Sequence, residues 1–276
     1  MNLKQRLKGT NSYDFTDHSS IKILPICDLH VGSVFCNYEL INKAVKYIEE
    51  NDDCYTVFLG DITNNANLRK GHDGVWFQNM RPDEQEEWVI EKMKPIAHKI
   101  ISVVDGNHGW AWSSSTGHNP DKRIALALDA PHHGFMAILD YRLGQTKKER
   151  RRWTHILHHG TGGGGTDGGV INSANKLLKQ CLTANLITVG HFHRLMYNCS
   201  TSQIINNSNI YSQDVHIFVC GGSYSHITTK ELKQGKYSNY SVQKNMSPTS
   251  PGFWILELTN ENPEPGRFVI HTERLF

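Results

Sequence analysis

Five short apolar, β-prone runs in this chain each stop at a carboxylate, an amide or an imidazole, and that recurrence restricts the fold more than any other feature. The sharpest case is Tyr55-Thr56-Val57-Phe58-Leu59-Gly60-Asp61, where an aspartate is the first side chain past the glycine that ends the run. Runs of this kind read as buried parallel strands, and functional groups in open α/β sheets collect at the carboxyl ends of such strands. One Gly-Asp pair would be an ordinary turn. Four further runs change the reading: Ile21–Cys27 enters Asp28-Leu29-His30, and Ile100–Val104 enters Asp105-Gly106-Asn107-His108. Trp153–Leu157 enters His158-His159-Gly160, and Leu186–Val189 enters Gly190-His191-Phe192-His193. Side chains two apart on extended backbone share a face, so Asp28 with His30, and His191 with His193, are expected to point the same way.

Helical patterns separate the runs. Asn37 is placed to cap a helix in which Tyr38, Ile41, Ala44, Val45 and Ile48 recur at helical spacing. Pro82 opens a second helix, with acids in its first turn and Trp88, Val89, Met93 and Ile96 as its buried face, until Pro95 kinks or ends it. Asn119-Pro120-Asp121 caps a third, containing Ile124, Leu126 and Leu128. The glycine-rich loop 161–169 leads into a fourth near Val170 and lacks the Gly-Lys-Ser/Thr of a nucleotide phosphate loop, so it reads as a flexible active-site loop, with a plain linker as the alternative. Phe135–Leu143 forms a hairpin with Trp153–Leu157 across the solvated basic turn Lys147–Arg152. Val215–Cys220, Phe253–Leu258 and Arg267–Ile270 read as strands of a second sheet. The leader 1–20 is polar, 62–81 is a surface excursion, and 223–252 an irregular loop. With no repeat or linker, one domain is expected over 1–276, with a motif-bearing core at about 21–194 and second-sheet strands and a loop over 195–276.

Composition narrows the function classes. A formal charge of +2, from 29 basic and 27 acidic residues, gives no global field for a polyanion. Six cysteines without a Cys-x-x-Cys pair argue against a zinc ribbon and suit a reducing compartment. The first residues lack the apolar core of a signal peptide, and no run has the length of a membrane span, so a soluble cytoplasmic protein with no membrane association is expected. No protein partner is indicated.

The strand tips together offer Asp28, His30, Asp61, Asn107, His158 or His159, His191 and His193. An all-oxygen set would suit Mg²⁺ or Ca²⁺, and thiolates structural zinc; mixed carboxylate, amide and imidazole suits Mn²⁺, Fe or Zn²⁺. Seven ligands exceed what one catalytic ion takes, and they suit two ions sharing a carboxylate, about 3.5–4 Å apart as in two-metal phosphoryl-transfer sites.

In order, residue type and strand context, Asp28-x-His30, Gly60-Asp61, Gly106-Asn107-His108, His158-His159-Gly160 and Gly190-His191-x-His193 resemble the five motifs of the calcineurin-like metallophosphoesterases, over roughly residues 21–194. The resemblance implies an α/β fold, a four-layer αββα sandwich of two mixed β-sheets flanked by helices, holding two divalent ions, with Mn²⁺ favoured over Fe or Zn²⁺. It implies Asp28, His30 and His193 on the first ion, Asp61 as the bridge, and Asn107, His191 and one of the paired histidines on the second. His158 is favoured, because family members tend to read His-x-Pro or His-x-Gly there, and His159 is the alternative. His108 would be the catalytic imidazole beside the leaving group. Family members usually carry an acid after the Asn-His pair, where this chain has Gly109, and Asp105 or Asp73 is a candidate substitute.

The expected activity is hydrolysis of phosphodiesters by metal-activated water, the substrate being a nucleotide or nucleic acid, with Trp110 and Trp112 as substrate-binding aromatics. Diesters are expected because no arginine fork for a dianionic monoester follows either glycine motif, Arg69 and Arg81 being the nearest candidates. A nuclease acting on DNA or RNA, or a catalytically weakened metal-binding scaffold, are the alternatives.

Overall fold

The computed structural model describes residues 11–66, 73–162, 166–206, 209–224, 251–261 and 268–276. In chain order the elements are β1 (Ser12–Phe15), β2 (Ser20–Ile26), α1 (Tyr38–Glu50), β3 (Cys54–Phe58), α2 (Pro82–Met93), β4 (Ile100–Val103), α3 (Asn107–Thr116) and α4 (Pro120–Ala127). There follow β5 (Met136–Leu143), β6 (Arg151–His158), α5 (Asp167–Asn175), β7 (Leu186–Val189), β8 (Met196–Asn206), β9 (Asn209–Val219), β10 (Phe253–Thr259) and β11 (Ile270–Leu275).

The helices form for the reasons their sequences give. Asn37 accepts the Leu40 N–H at 3.1 Å, and Leu40, Ile41, Ala44, Val45 and Ile48 bury one face of α1. α2 stops at Met93 and continues as a 3-10 turn, Lys94–Lys99, that accommodates Pro95. Asn119 caps α4 by accepting the Lys122 N–H at 2.9 Å. In α4 Leu126 is 71% exposed, because Ile124 and Leu128, four apart, define the buried face and Leu126 falls opposite them.

Two mixed sheets result, ordered β1-β5-β6-β7-β9-β8 and β11-β10-β2-β3-β4. Tyr13, Leu59, Tyr141, Trp153, Phe218 and Leu256 fill the space between them. The five-stranded sheet packs its other face on α1, α2 and α4 through Ile26, Phe58, Ile41, Val89 and Ile124. The six-stranded sheet packs on α5 through Ile156, Ile187, Ile217 and Val170. The layers are therefore α-β-β-α, as the motif pattern implies. Three aromatic polar groups cross between the sheets: Tyr13 Oη donates to Ile101 O (2.8 Å), Trp153 Nε1 to Thr259 O (3.0 Å) and Trp254 Nε1 to Val219 O (2.9 Å).

Several expectations need correction. The polar leader contains β1, which pairs with β5 in parallel. The carboxyl-terminal strands do not make a sheet of their own: β9 pairs with β7, whereas β10 pairs with β2 and β11. β8 was hidden by its polarity and is the outer member of a hairpin with β9. Ile62 to Ala66, expected at the surface, are buried against the site, and of the loop 223–252 residues 225–250 lie outside the described residues.

Candidate metal centre

β2, β3 and β4 run parallel, as do β6, β7 and β9, so each sheet contributes three carboxyl ends. The loops that follow meet at one place because glycines let backbone approach backbone. A Cβ on Gly60 would lie 2.4 Å from Gly106 N and Cα, and one on Gly106 would lie 2.1 Å from Asp61 N, so neither position admits a larger residue without displacement.

The side chains are aimed by a backbone different from the one expected. Asp28, His30, Asp61, His191 and His193 all have φ between 47° and 72°, in the left-handed region, and none lies in a strand. The extended-backbone alternation therefore does not hold at either pair. Asp, Asn and His tolerate this region better than other non-glycine residues, at a cost of order 1–3 kcal/mol each.

Three overlapping groups of ligand atoms result: Asp28, His30 and His193; His30, Asp61 and His108; and Asp61, His159 and His191. His191 and His193 thus face different groups, which the i, i+2 spacing did not suggest and the family resemblance did. Each carboxylate fixes one oxygen on a backbone N–H of another motif and turns the other inward. Asp28 Oδ2 accepts from His191 N and Asp61 Oδ1 from His108 N, both at 2.8 Å. Asp28 Oδ1 lies 3.9 Å from His30 Nε2 and 3.7 Å from His193 Nε2. Asp61 Oδ2 lies 3.9 Å from His30 Nε2 and 3.1 Å from His159 Nε2. Asn107 joins the last group, its amide 2.9 Å from His159 Nε2 and 2.8 Å from His191 Nδ1.

Of the paired histidines the geometry gathers His159 and leaves His158 aside, a correction to the sequence preference. Along β6, Leu157 faces the space between the sheets and Ile156 faces α5. Alternation sends His159 inward after Leu157 and His158 outward after Ile156, where its Nδ1 accepts the Gly160 N–H at 2.8 Å.

The donor set fits divalent cations. Asp28 Oδ1 and His30 Nε2 are buried without a hydrogen-bond partner, an arrangement that is costly unless a cation satisfies both. Separations of 3.1–3.9 Å between inward atoms are edge lengths for ligands about 2.0–2.2 Å from an ion. Backbone carbonyls select the tautomers: His159 Nδ1 donates to Leu59 O (2.7 Å) and His191 Nε2 to Gly162 O (2.9 Å), leaving the opposite nitrogen of each ring to face Asn107. With a cation among these atoms the Asn107 carbonyl oxygen is the group that turns inward; the reversed amide would instead donate Nδ2 to both rings and to Asp61 Oδ2 at 3.2 Å.

Charge tells the same story. Burial lifts the Asp28 carboxyl to about 6 and presses His30 down to about 3. Burial also opposes charge on His159, but the adjoining Asp61 carboxylate outweighs it and raises that imidazole to about 9. Without a metal ion a proton therefore takes the place of a cation between His159 and Asp61.

His108 opens α3 and is half-buried, with Nδ1 2.5 Å from the Asn64 carbonyl oxygen. That carbonyl does the orienting expected of an acid. Asp105 is committed elsewhere, accepting from His132 Nε2 (2.7 Å) and Asn119 Nδ2 (3.2 Å), and the Asp73 side chain lies outside the described residues. Trp110, further along α3, is 48% exposed and meets the half-exposed Phe135 edge-on, with centroids 5.1 Å apart; Trp112 is half-buried. Sequence reasoning missed Tyr224, whose ring lies 4.7 Å from that of His30 and 5.0 Å from that of His193. The signal for it was thin: Gly221-Gly222-Ser223 follows a strand, as in the other motifs, but no ligand type comes next.

Two mixed sheets face to face, with the five motifs meeting in order at their carboxyl edge, decide the architecture. This is the calcineurin-like sandwich fold. No family model matches the sequence, and no curated protein does. Solved structures to which this chain is similar include the calcineurin-like phosphoesterase YfkN from Bacillus subtilis, at 12% identity over 93% of this chain and 90% of that one, with a TM-score of 0.40. Vps29 from Chaetomium thermophilum matches at 12% identity over 92% and 96%, with a TM-score of 0.39. The nuclease MPE from Pseudomonas putida matches at 13% over 90% and 87%, with a TM-score of 0.36. Among the described residues no helix is long and apolar enough to cross a membrane.

Proposed function

We propose that this chain is a metal-dependent phosphodiesterase. The observation that carries the reading is the pair of ligand groups, Asp28-His30-His193 and Asp61-His159-His191, joined through Asp61, which also belongs with His30 and His108. Asp28, His30 and His193 would hold one ion, and Asn107, His159 and His191 the other, with Asp61 between them. Mn²⁺ suits this donor set, as do Fe and Zn²⁺. Such ions supply a water acidic enough to ionise near neutral pH and neutralise the oxygens of a bound phosphate.

The protein's own residues supply the rest. Asn64 O holds His108 Nδ1, which leaves Nε2 to stabilise charge on the transferring group or to protonate the departing ester oxygen. Carbonyls of Leu59 and Gly162 hold the flanking rings, so the constellation is set before substrate arrives.

Preference for diesters rests on arginine. A monoester dianion is best met by a guanidinium fork. Arg81 is turned to Asp83 and Glu84 (3.4 and 3.3 Å), Arg194 after His193 is paired with Asp167 (2.8 Å), and Arg69 lies outside the described residues. The test is kcat/KM with Mn²⁺ for bis(p-nitrophenyl) phosphate against p-nitrophenyl phosphate at one pH. The diester should win; a monoester preference abolished by removing Arg69 or Arg81 would refute the argument. The exposed Trp110–Phe135 pair favours an ester carrying a nucleobase, and hence a nuclease or nucleotide diesterase as the narrower reading.

A further inference from the structure

We propose that Asp121, on α4, is the positioning residue of the metal centre, and that position 109 is glycine to make room for its carboxylate. This rests on the reading of the centre as a two-ion site. Val104-Asp105-Gly106 is a short bridge between β4 and α3, which opens with Asn107 and His108, and something must fix its course. The first turn of α4 does so from below. Asp121 Oδ2 accepts the Gly106 N–H at 3.1 Å, and the cap residue Asn119, two residues earlier, donates Nδ2 to Asp105 Oδ1 at 3.2 Å. Two consecutive residues of the bridge are thus gripped by α4, immediately before Asn107 and His108.

Gly109 completes the arrangement. A Cβ at 109 would lie 2.3 Å from Asp121 Oδ2, too close for both to stay, so the carboxylate occupies space that any other residue at 109 would claim. The acid that the resemblance leads one to expect at 109 is absent: Asn64 O orients His108, and the Asp121 carboxylate fills the space beside Gly109. Nor is Asp121 there for stability. It is 1% exposed and its Oδ1 has no hydrogen-bond partner, a costly way to satisfy one N–H. An asparagine would accept the same bond through one oxygen at lower desolvation cost, which makes it the conservative control.

The experiment measures Mn²⁺ binding and bis(p-nitrophenyl) phosphate turnover for the full chain and for Asp121→Ala, Asp121→Asn, Gly109→Ala and the double variant Gly109→Ala/Asp121→Ala, with thermal melts in EDTA. Asp121→Ala should weaken the Asn107-bearing ion about tenfold or more, the usual effect of losing a residue that orients a ligand, and lower kcat alongside. Asp121→Asn should restore both. Gly109→Ala should copy Asp121→Ala, because the new methyl displaces the carboxylate, and the double variant should be no worse than either single one. A purely structural role would shift the melt and leave Mn²⁺ affinity untouched well below it. Two ions bound by Asp121→Ala as tightly as by the unmodified chain, or additive losses in the double variant, would overturn the inference alone. An unmodified chain that takes up no Mn²⁺ would overturn the two-ion reading and this inference with it.

Discussion

His155 offers a quantitative test of how the floor of the site is built. It lies on β6, four residues before His159, fully buried between Tyr141 Oη (3.0 Å) and Thr188 Oγ1 (2.9 Å), and so ties β6 to β5 and β7 beneath the centre. Burial presses its pKa to about 3, against 6.5 for an ordinary histidine. Between those values the unfolded chain binds a proton that the folded chain refuses. The contribution is therefore intact above pH 6.5 and is lost as pH falls from 6.5 towards 3, at about 1.4 kcal/mol per unit. At pH 4.5 the loss from this one ring is about 3 kcal/mol, a large share of a typical domain's stability. The perturbation is His155→Gln, which keeps a donor and an acceptor without a titrating group. Urea unfolding in EDTA at pH 7.5 and 4.5, followed by tryptophan fluorescence, gives the loss for each chain. The unmodified protein should lose about 3 kcal/mol more than the variant, while other titrating groups cancel in the difference. Equal losses would mean that the folded protein protonates His155 in place, and the burial argument would fall.

Three further outcomes are expected. His159→Ala should lower Mn²⁺ stoichiometry and abolish turnover, whereas His158→Ala should do neither; metal analysis and a diester assay on the two variants decide it. His108→Ala should retain both ions and lose kcat by about 10² or more, read from steady-state kinetics, because the imidazole acts on the ester. Trp110→Ala should weaken nucleotide esters by about 1–3 kcal/mol and leave bis(p-nitrophenyl) phosphate untouched, which a comparison of kcat/KM values would show; the same comparison on Trp112→Ala separates stacking from packing under α3.

The site was legible where chemistry and strand ends coincide. Asp28, Asp61, Asn107 and His191 follow apolar runs, and burial of the runs is written in composition. The choice between His158 and His159 was legible too, had the alternation of Ile156 and Leu157 been followed past the strand end; motif spacing pointed the other way. β1 and β8 left little trace because edge strands are defined by hydrogen bonding to one neighbour, Ser12–Phe15 is only four residues long, and Met196–Asn206 is mostly polar. α3 leaves little helical signal because Gly, Ser and Thr crowd Asn107–Thr116; its start is held by contacts from α4 that sequence does not display.

The left-handed backbone at Asp28, His30, Asp61, His191 and His193 carries a consequence for anyone selecting variants of this protein. Glycine would relax each of these positions, so a screen that rewards heat resistance alone, run in the presence of a chelator, should drift towards glycine at 28, 30 and 193 and discard metal binding as it goes. The sturdiest descendants of such a screen would be chemically mute, and only Mn²⁺ in the growth or refolding medium would tilt the selection back, because the ions reward the tense conformer and not the relaxed one.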